Sequence, residues 1–129
     1  MILLDTNALI WSYLDAPQLG ECARERIRLA DRVFYSSISV SEIVIKHMLG
    51  KITLPGGQRF PTVFDEMGLT ELRFSGAHAS ELLHRPRLSR HDPFDRFLIG
   101  QAEAEGMQFL TADAALLKLG ETWIIDARE

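Results

Sequence analysis

The stretch Met1-Ile2-Leu3-Leu4-Asp5-Thr6-Asn7-Ala8-Leu9-Ile10 decides how the rest of the chain is read. Four apolar residues run into an acid, a polar step follows, and a second apolar pattern begins. An apolar run this short, bounded by turn or cap residues, reads as a buried strand, here residues 2–5. Asn7 then reads as the cap of a following helix. Asp5 falls at the carboxyl end of that strand, where open α/β sheets place their ligands. The question for every later segment is whether it sends further acids to the same place.

Bulk properties narrow the answer. A length of 129 residues suits one domain, residues 1–129, large enough for a substantial core. The chain is 47% hydrophobic and 25% charged, ordinary for a globular protein. Its formal net charge of −4 excludes a global basic attraction to nucleic acid, so contact with one needs a local basic patch or metal ions. Cys22 is the only cysteine and cannot form an internal disulfide, which fits a reducing compartment. It lies in a helical pattern and reads as packing. No apolar run approaches the roughly 20 residues needed to span a bilayer. With no signal-peptide pattern at Met1, the expected location is the cytoplasm.

Outward from the first strand, strands and helices alternate. Helical spacing covers residues 7–14, then 18–31 with a charged outer face. Val33-Phe34-Tyr35 is a strand, and a helix over 39–49 ends at Gly50. Residues 50–61, with Gly56-Gly57 and two prolines, read as a loop, either a flap near a site or a plain connection. A helix over 62–67, a strand over 69–74 and a helix over 76–84 follow. The basic segment from His84 to His91 reads as irregular. A helix over 93–105 ends at Gly106. Strand 107–110, a turn and short helix to 119, and strand 123–125 complete the chain. Five strands alternating with helices predict an α/β fold: a parallel, twisted sheet covered on both sides.

On that reading several acids meet. In a parallel sheet, strand carboxyl ends and the amino ends of the following helices share one edge. Asp5, Glu42 and Asp113 fall on it, and Asp95 points there if its helix starts there. Each has an ordinary structural explanation as well. Ser39-Val40-Ser41-Glu42 matches a capping box, and Glu42 with Lys46 an i,i+4 ion pair. Asp92-Pro93 suits a cap and first helical position, which leaves Asp95 at the third. Asp113 suits a turn or cap with Thr111. The coincidence argues for more: three or four carboxylates in one place repel unless cations are present. No His/Cys ligand spacing competes, so Mg²⁺ or Mn²⁺ is favoured over Zn²⁺. Such a cluster suits metal-assisted phosphodiester hydrolysis. No phosphate-binding glycine loop and no nucleophile elbow occurs. His78 and His84 read as packing or surface residues, and His91 as a phosphate contact or a cap.

These segments together resemble a known family. Ile2-Leu3-Leu4-Asp5-Thr6-Asn7 is similar to the opening motif of PIN-domain ribonucleases, specifically the VapC-type toxins of toxin–antitoxin pairs. Ser39-Val40-Ser41-Glu42-Ile43, continuing to Leu54-Pro55, resembles the second acidic motif, with Ser41 where the family often has Trp. His91-Asp92-Pro93-Phe94-Asp95-Arg96 with Leu98-Ile99-Gly100-Gln101-Ala102 resembles the third, and Leu110-Thr111-Ala112-Asp113 the fourth. The resemblance covers nearly the whole chain. It implies a three-layer α/β/α sandwich with a five-stranded parallel sheet and an Mg²⁺- or Mn²⁺-dependent endoribonuclease. It implies metal ligation by Asp5, Glu42, Asp95 and Asp113, with Asp92 as an extra member and Asn7 and Thr111 as polar supports. It also implies a cognate antitoxin partner and a homodimer, to which Trp11 and Tyr13 are candidate contributors.

Within that reading, Arg85, Arg87, Arg90, His91 and Arg96 are candidates for binding the RNA backbone, against a plain solvated basic surface. Two other classes stay open. One is a phosphate-handling domain with Asp5 as nucleophile or phospho-acceptor. A haloacid-dehalogenase-like phosphatase needs a second Asp where Asn7 stands, and a receiver domain needs an acid pair and a late lysine that are not evident. The other is a non-catalytic binding module whose acids only cap helices.

Overall fold

The computed structural model describes residues 1–129. Five short parallel strands form one sheet: β1 (Ile2–Leu4), β2 (Val33–Ser36), β3 (Thr70–Leu72), β4 (Gln108–Thr111) and β5 (Ile124–Asp126). Their order across the sheet is β3-β2-β1-β4-β5. β1 is the central strand, with Leu3 opposite Phe34 on one side and Phe109 on the other. The chain builds outward from β1 in one direction, returns, and builds outward in the other. The carboxyl ends of β1 and β4 therefore flank the point where the winding reverses, the place such sheets reserve for ligands.

Side-chain alternation sorts the apolar residues to two faces. Ile2, Leu4, Val33, Tyr35 and Leu110 enter one core, with Ala8 and Leu9 of α1 (Thr6–Leu14), Ala23 of α2 (Glu21–Leu29) and Val63 and Phe64 of α4 (Thr62–Glu66). Leu3, Phe34 and Phe109 enter the other, with Leu98, Ile99 and Ala102 of α6 (Pro93–Glu105) and Leu116 of α7 (Ala114–Leu117). The expected three-layer α/β/α sandwich is present. Leu3, Leu4, Leu98 and Leu110 are fully buried, each worth roughly 1.5–3 kcal/mol of transfer free energy. No helix is long and apolar enough to cross a membrane.

Several boundaries differ from expectation. The cap of α1 is Asp5, not Asn7: Asp5 has extended backbone and its Oδ1 accepts from the Ala8 amide at 2.7 Å, while Asn7 is exposed in the first turn. The third helix, α3, spans Ser37–Met48, two residues earlier than expected, because Ser36 caps it by accepting from the Ile38 amide. The capping box at Ser39 is therefore absent; Ser39 is buried and receives the Thr6 hydroxyl at 2.9 Å. Gly50, at φ +73°, lets the Gly50 and Lys51 amides bond the His47 and Lys46 carbonyls, closing α3 with a Schellman turn. The second helix is shorter than expected. Cys22 lies on its outer side, exposed rather than packed, while Leu19 and Ala23, four apart, are buried. The loop over 50–61 packs on α1, the Gly56 amide donating to the Tyr13 hydroxyl at 2.9 Å.

One close contact fixes how α6 lies on the remaining helix, α5 (Gly76–Glu81). His78, in α5, is buried: it shares a capping box with Ser75, and its Nε2 donates to Glu105 Oε2 at 2.8 Å. Gly100 of α6 faces its backbone, and a Cβ there would stand 2.7 Å from the His78 carbonyl oxygen. Gly100→Ala is expected to force the two helices apart and cost about 1–3 kcal/mol, read from the urea midpoint at unchanged slope.

Candidate metal centre

The acids are placed by local backbone chemistry. Asp5 leaves β1 and caps α1. It is 3% exposed, and both of its oxygens are used: Oδ1 by the Ala8 amide, Oδ2 by the Thr111 hydroxyl at 2.7 Å and the Ala112 amide at 3.3 Å. Burial pushes the Asp5 carboxyl above the usual carboxylate range; these three hydrogen bonds pull it back, and the Glu42 charge pushes it up again. Asp92 caps α6 through Oδ1, which accepts from the Phe94 and Asp95 amides, with Pro93 at the first helical position as expected. Asp113 caps α7 through Oδ1, which accepts from the Leu116 amide at 2.9 Å. Its own amide donates to Thr111 Oγ1 at 3.0 Å. The Thr111 hydroxyl thus stands between Asp5 and Asp113. Asn7, the other expected support, is exposed.

Glu42 and Asp95 cap nothing. Glu42, in the second turn of α3, holds the expected contact with Lys46 through Oε2 at 2.8 Å. Its other oxygen, Oε1, is buried with no hydrogen-bond partner. Asp95, at the third position of α6, feels burial first and then the charges of Asp113, Asp5, Asp92 and Glu42; together they raise its carboxyl to about 7. The four other acids singled out in the sequence therefore all act on Asp95. The tightest grouping within this neighbourhood is different in kind: His91 Nε2, an Asp95 oxygen and an Asp113 oxygen lie within 4.8 Å of one another, and Asp5 and Glu42 stand outside it. The basic candidates separate. Arg87 and Arg90 are exposed. Arg96 donates through Nη1 to the Ser89 carbonyl at 2.8 Å and so pins the segment leading into α6. Arg85 is not free for a substrate. It is paired with Glu103 and Glu121 and lies over the Trp123 ring. Glu103 is eight residues beyond Asp95, about 12 Å along the helix.

Two buried polar contacts near the acids escaped the sequence reading. Thr6 follows Asp5 and Ser39 precedes Glu42 by three residues, and their hydroxyls join α1 to α3. Ser36 and Gln101 form a buried hydrogen bond, and Gln101 Nε2 donates to the Leu72 carbonyl at 3.2 Å, which ties α6 to the β2–β3 edge. The only signal in the sequence is a polar residue inside each apolar run.

The donor set fits a divalent cation. A buried carboxylate oxygen without a partner and a carboxyl held near neutrality by four others are both relieved by one positive charge. The sign of the pH effect follows. Asp95 ionises near 7 when folded against about 3.9 unfolded, so the folded state holds an extra proton between those values, and stability present below pH ~4 is lost as pH rises through 7. In EDTA at pH 8, Asp95→Asn is expected to unfold at higher urea than the parent, with the gap closing towards pH 4.

Comparison with known proteins bears on the fold and the family. The family model for the PIN domain matches residues 2–121. Comparison with curated proteins finds no match. Among solved structures, a toxin–antitoxin complex from Klebsiella pneumoniae has a chain that is 17% identical, with a TM-score of 0.68, covering 100% of this chain and 99% of its own. VapBC2 from Rickettsia felis, bound to a promoter DNA fragment, is 18% identical with a TM-score of 0.66, covering 97% of this chain and 96% of its own. DNA-bound VapBC from Salmonella typhimurium is 23% identical with a TM-score of 0.62, covering 97% and 94%. At these identities the three structures establish a shared fold. With the family model spanning all but the last few residues, the chain belongs to the PIN-domain family, whose members are in general nucleases.

Proposed function

We propose that this chain is a metal-dependent endoribonuclease, and that it serves in the cytoplasm as the toxin of a toxin–antitoxin pair. The observation that carries the reading is the buried, unpartnered Glu42 Oε1 in a neighbourhood of acids, where burial and four neighbouring carboxylates raise the Asp95 carboxyl to about 7. A fold that keeps such a cluster at the sheet's switch point keeps it for a cation. Asp5, Glu42, Asp95 and Asp113 hold the ion, with Asp92 at the rim. Bound Mg²⁺ or Mn²⁺ supplies Lewis-acid stabilisation of phosphate charge and a more acidic water. The Thr111 hydroxyl and the Ala8 and Ala112 amides orient the Asp5 carboxylate, and Thr6 with Ser39 sets α1 against α3 beneath it. Exposed Arg87 and Arg90 supply cations for an RNA backbone, and Arg96 holds their segment against α6.

A partner reading goes with the enzymatic one. Ile10, Tyr13 and Leu14 of α1 and Ile52, Leu54 and Pro55 line an apolar groove of about 430 Å³. Val44, Ile45, Met48 and Leu49, at the end of α3, expose large apolar side chains. Patches of this kind mark protein contacts, here with an antitoxin and with a second copy of the chain. Tyr13 belongs to the groove, whereas Trp11 is half-buried against the core. The toxin–antitoxin complexes among the structural neighbours support the antitoxin.

A capping-only module accounts for Asp5, Asp92 and Asp113 but leaves the unpartnered Glu42 Oε1 and the charge gathered on Asp95 unexplained. A phosphatase reading has an exposed Asn7 where its second acid is required. Asp5→Asn keeps a good helix cap and removes the charge. Purified Asp5→Asn protein is therefore expected to stay folded and to lose metal-dependent RNA cleavage; retention of cleavage would overturn the assignment. Thr111→Val, which removes only the orienting hydroxyl, is expected to lower metal affinity or activity by roughly 10–100-fold, measured by calorimetry and by cleavage of a labelled RNA.

A further inference from the structure

The acids were expected to form an oxygen-only site, yet the tightest potential ligand group contains an imidazole. His91 precedes the cap residue of α6, so its side chain projects back over the first turn. There Nε2 stands 3.6 Å from Asp95 Oδ2 and 3.3 Å from Asp113 Oδ2. The atom is buried and makes no hydrogen bond. Two carboxylates approach it, and neither engages it.

The same molecule shows what an engaged histidine looks like. His78 Nε2 meets Glu105 Oε2 at 2.8 Å, the length of a charge-assisted hydrogen bond. The separations at His91 are longer than that and match a different relation. Ligand atoms about 2.1 Å from a shared ion stand about 3.0 Å apart at right angles and about 3.4 Å apart at a tetrahedral angle. The His91–Asp113 and His91–Asp95 distances lie in or beside that range. Asp113 has its orientation fixed: it spends Oδ1 on the Leu116 amide and turns Oδ2 towards His91, while Asp95 sits in the first turn of the capped helix.

We propose that His91 Nε2 is a ligand of the cation held by Asp95 and Asp113, so that the site is a mixed imidazole–carboxylate one and selects a transition-series cation over Mg²⁺. The inference rests on the metal-site reading above and narrows it. Imidazole nitrogen binds first-row transition ions in the order that rises from Mn²⁺ through Co²⁺, whereas Mg²⁺ keeps to oxygen. One nitrogen donor therefore separates ions that the carboxylates alone treat alike.

The test uses the whole chain with Co²⁺ and Mg²⁺ as probes, calorimetry for affinity and proton NMR for ligation. In the Co²⁺ protein an imidazole bound through Nε2 carries an exchangeable Nδ1 proton shifted far downfield. The expected result is one such proton in the parent and none in His91→Ala, with Co²⁺ affinity lowered about tenfold or more in the variant and Mg²⁺ affinity unchanged. Parent protein that binds Co²⁺ without a shifted imidazole proton overturns the inference, and that spectrum needs no variant. So does His91→Ala that binds Co²⁺ as tightly as the parent or more so, the result expected if His91 were only a resident counter-cation. In either case Mg²⁺-dependent RNA cleavage leaves the nuclease reading standing. If the parent binds neither ion, both fall together.

Discussion

The buried carboxylate of Asp5 is the constraint on which the structure turns. It is almost wholly withdrawn from water, and its three hydrogen bonds come from three directions: the first turn of α1, the end of β4, and the backbone just beyond β4. A charge this deep is tolerated only when its lone pairs are met. Meeting them requires β1 and β4 to lie side by side and α1 to start where it does. The central strand pairing and the site are thus one arrangement seen at two scales. The Thr111 hydroxyl serves both, donating to Asp5 and accepting from the Asp113 amide.

Capping and ion holding are usually offered as rival explanations for an acid at a helix start. Here they need not compete, because each would use a different oxygen of the same side chain. Asp113 gives Oδ1 to its helix and presents Oδ2 to the cleft, and Asp92 likewise caps through Oδ1. The caps hold the Asp92 and Asp113 side chains in place, so these two carboxylates would lose little freedom on binding a cation. The amino ends of α1, α6 and α7 also direct positive dipole ends at the cluster, which tempers the mutual repulsion of the acids without neutralising it. What the dipoles leave unbalanced shows in Asp95, whose carboxyl stays near 7.

Much of this was legible in the residues. The apolar runs before Asp5 and Asp113 read correctly as strands because β alternation and helical spacing are strong local signals. Asp92-Pro93 read correctly as a helix start because proline has few other places to go. The start of α3 was missed because Ser36, Ser37, Ser39 and Ser41 all suit a cap, and only the end of β2 chooses among them. Asn7 was taken for a cap because Asp5 was assigned to the strand, one residue too far. Arg85 looked like a free cation because its partners, Glu103 and Glu121, lie 18 and 36 positions away in sequence. His91 beside Asp95 could be read from i,i+4 spacing, but its approach to Asp113 needs the sheet to bring α6 and α7 together.

The division of labour among the acids has a consequence for how such a gene decays. Asp5 and Asp113 each hold up a helix as well as the cleft, so a change to an apolar residue there harms the fold and the chemistry at once. Glu42 and Asp95 make no cap hydrogen bond, and losing either keeps every cap while relieving repulsion. Change at those two codons is therefore the gentlest way to discharge the cluster while the cap hydrogen bonds of Asp5, Asp92 and Asp113 stay in place.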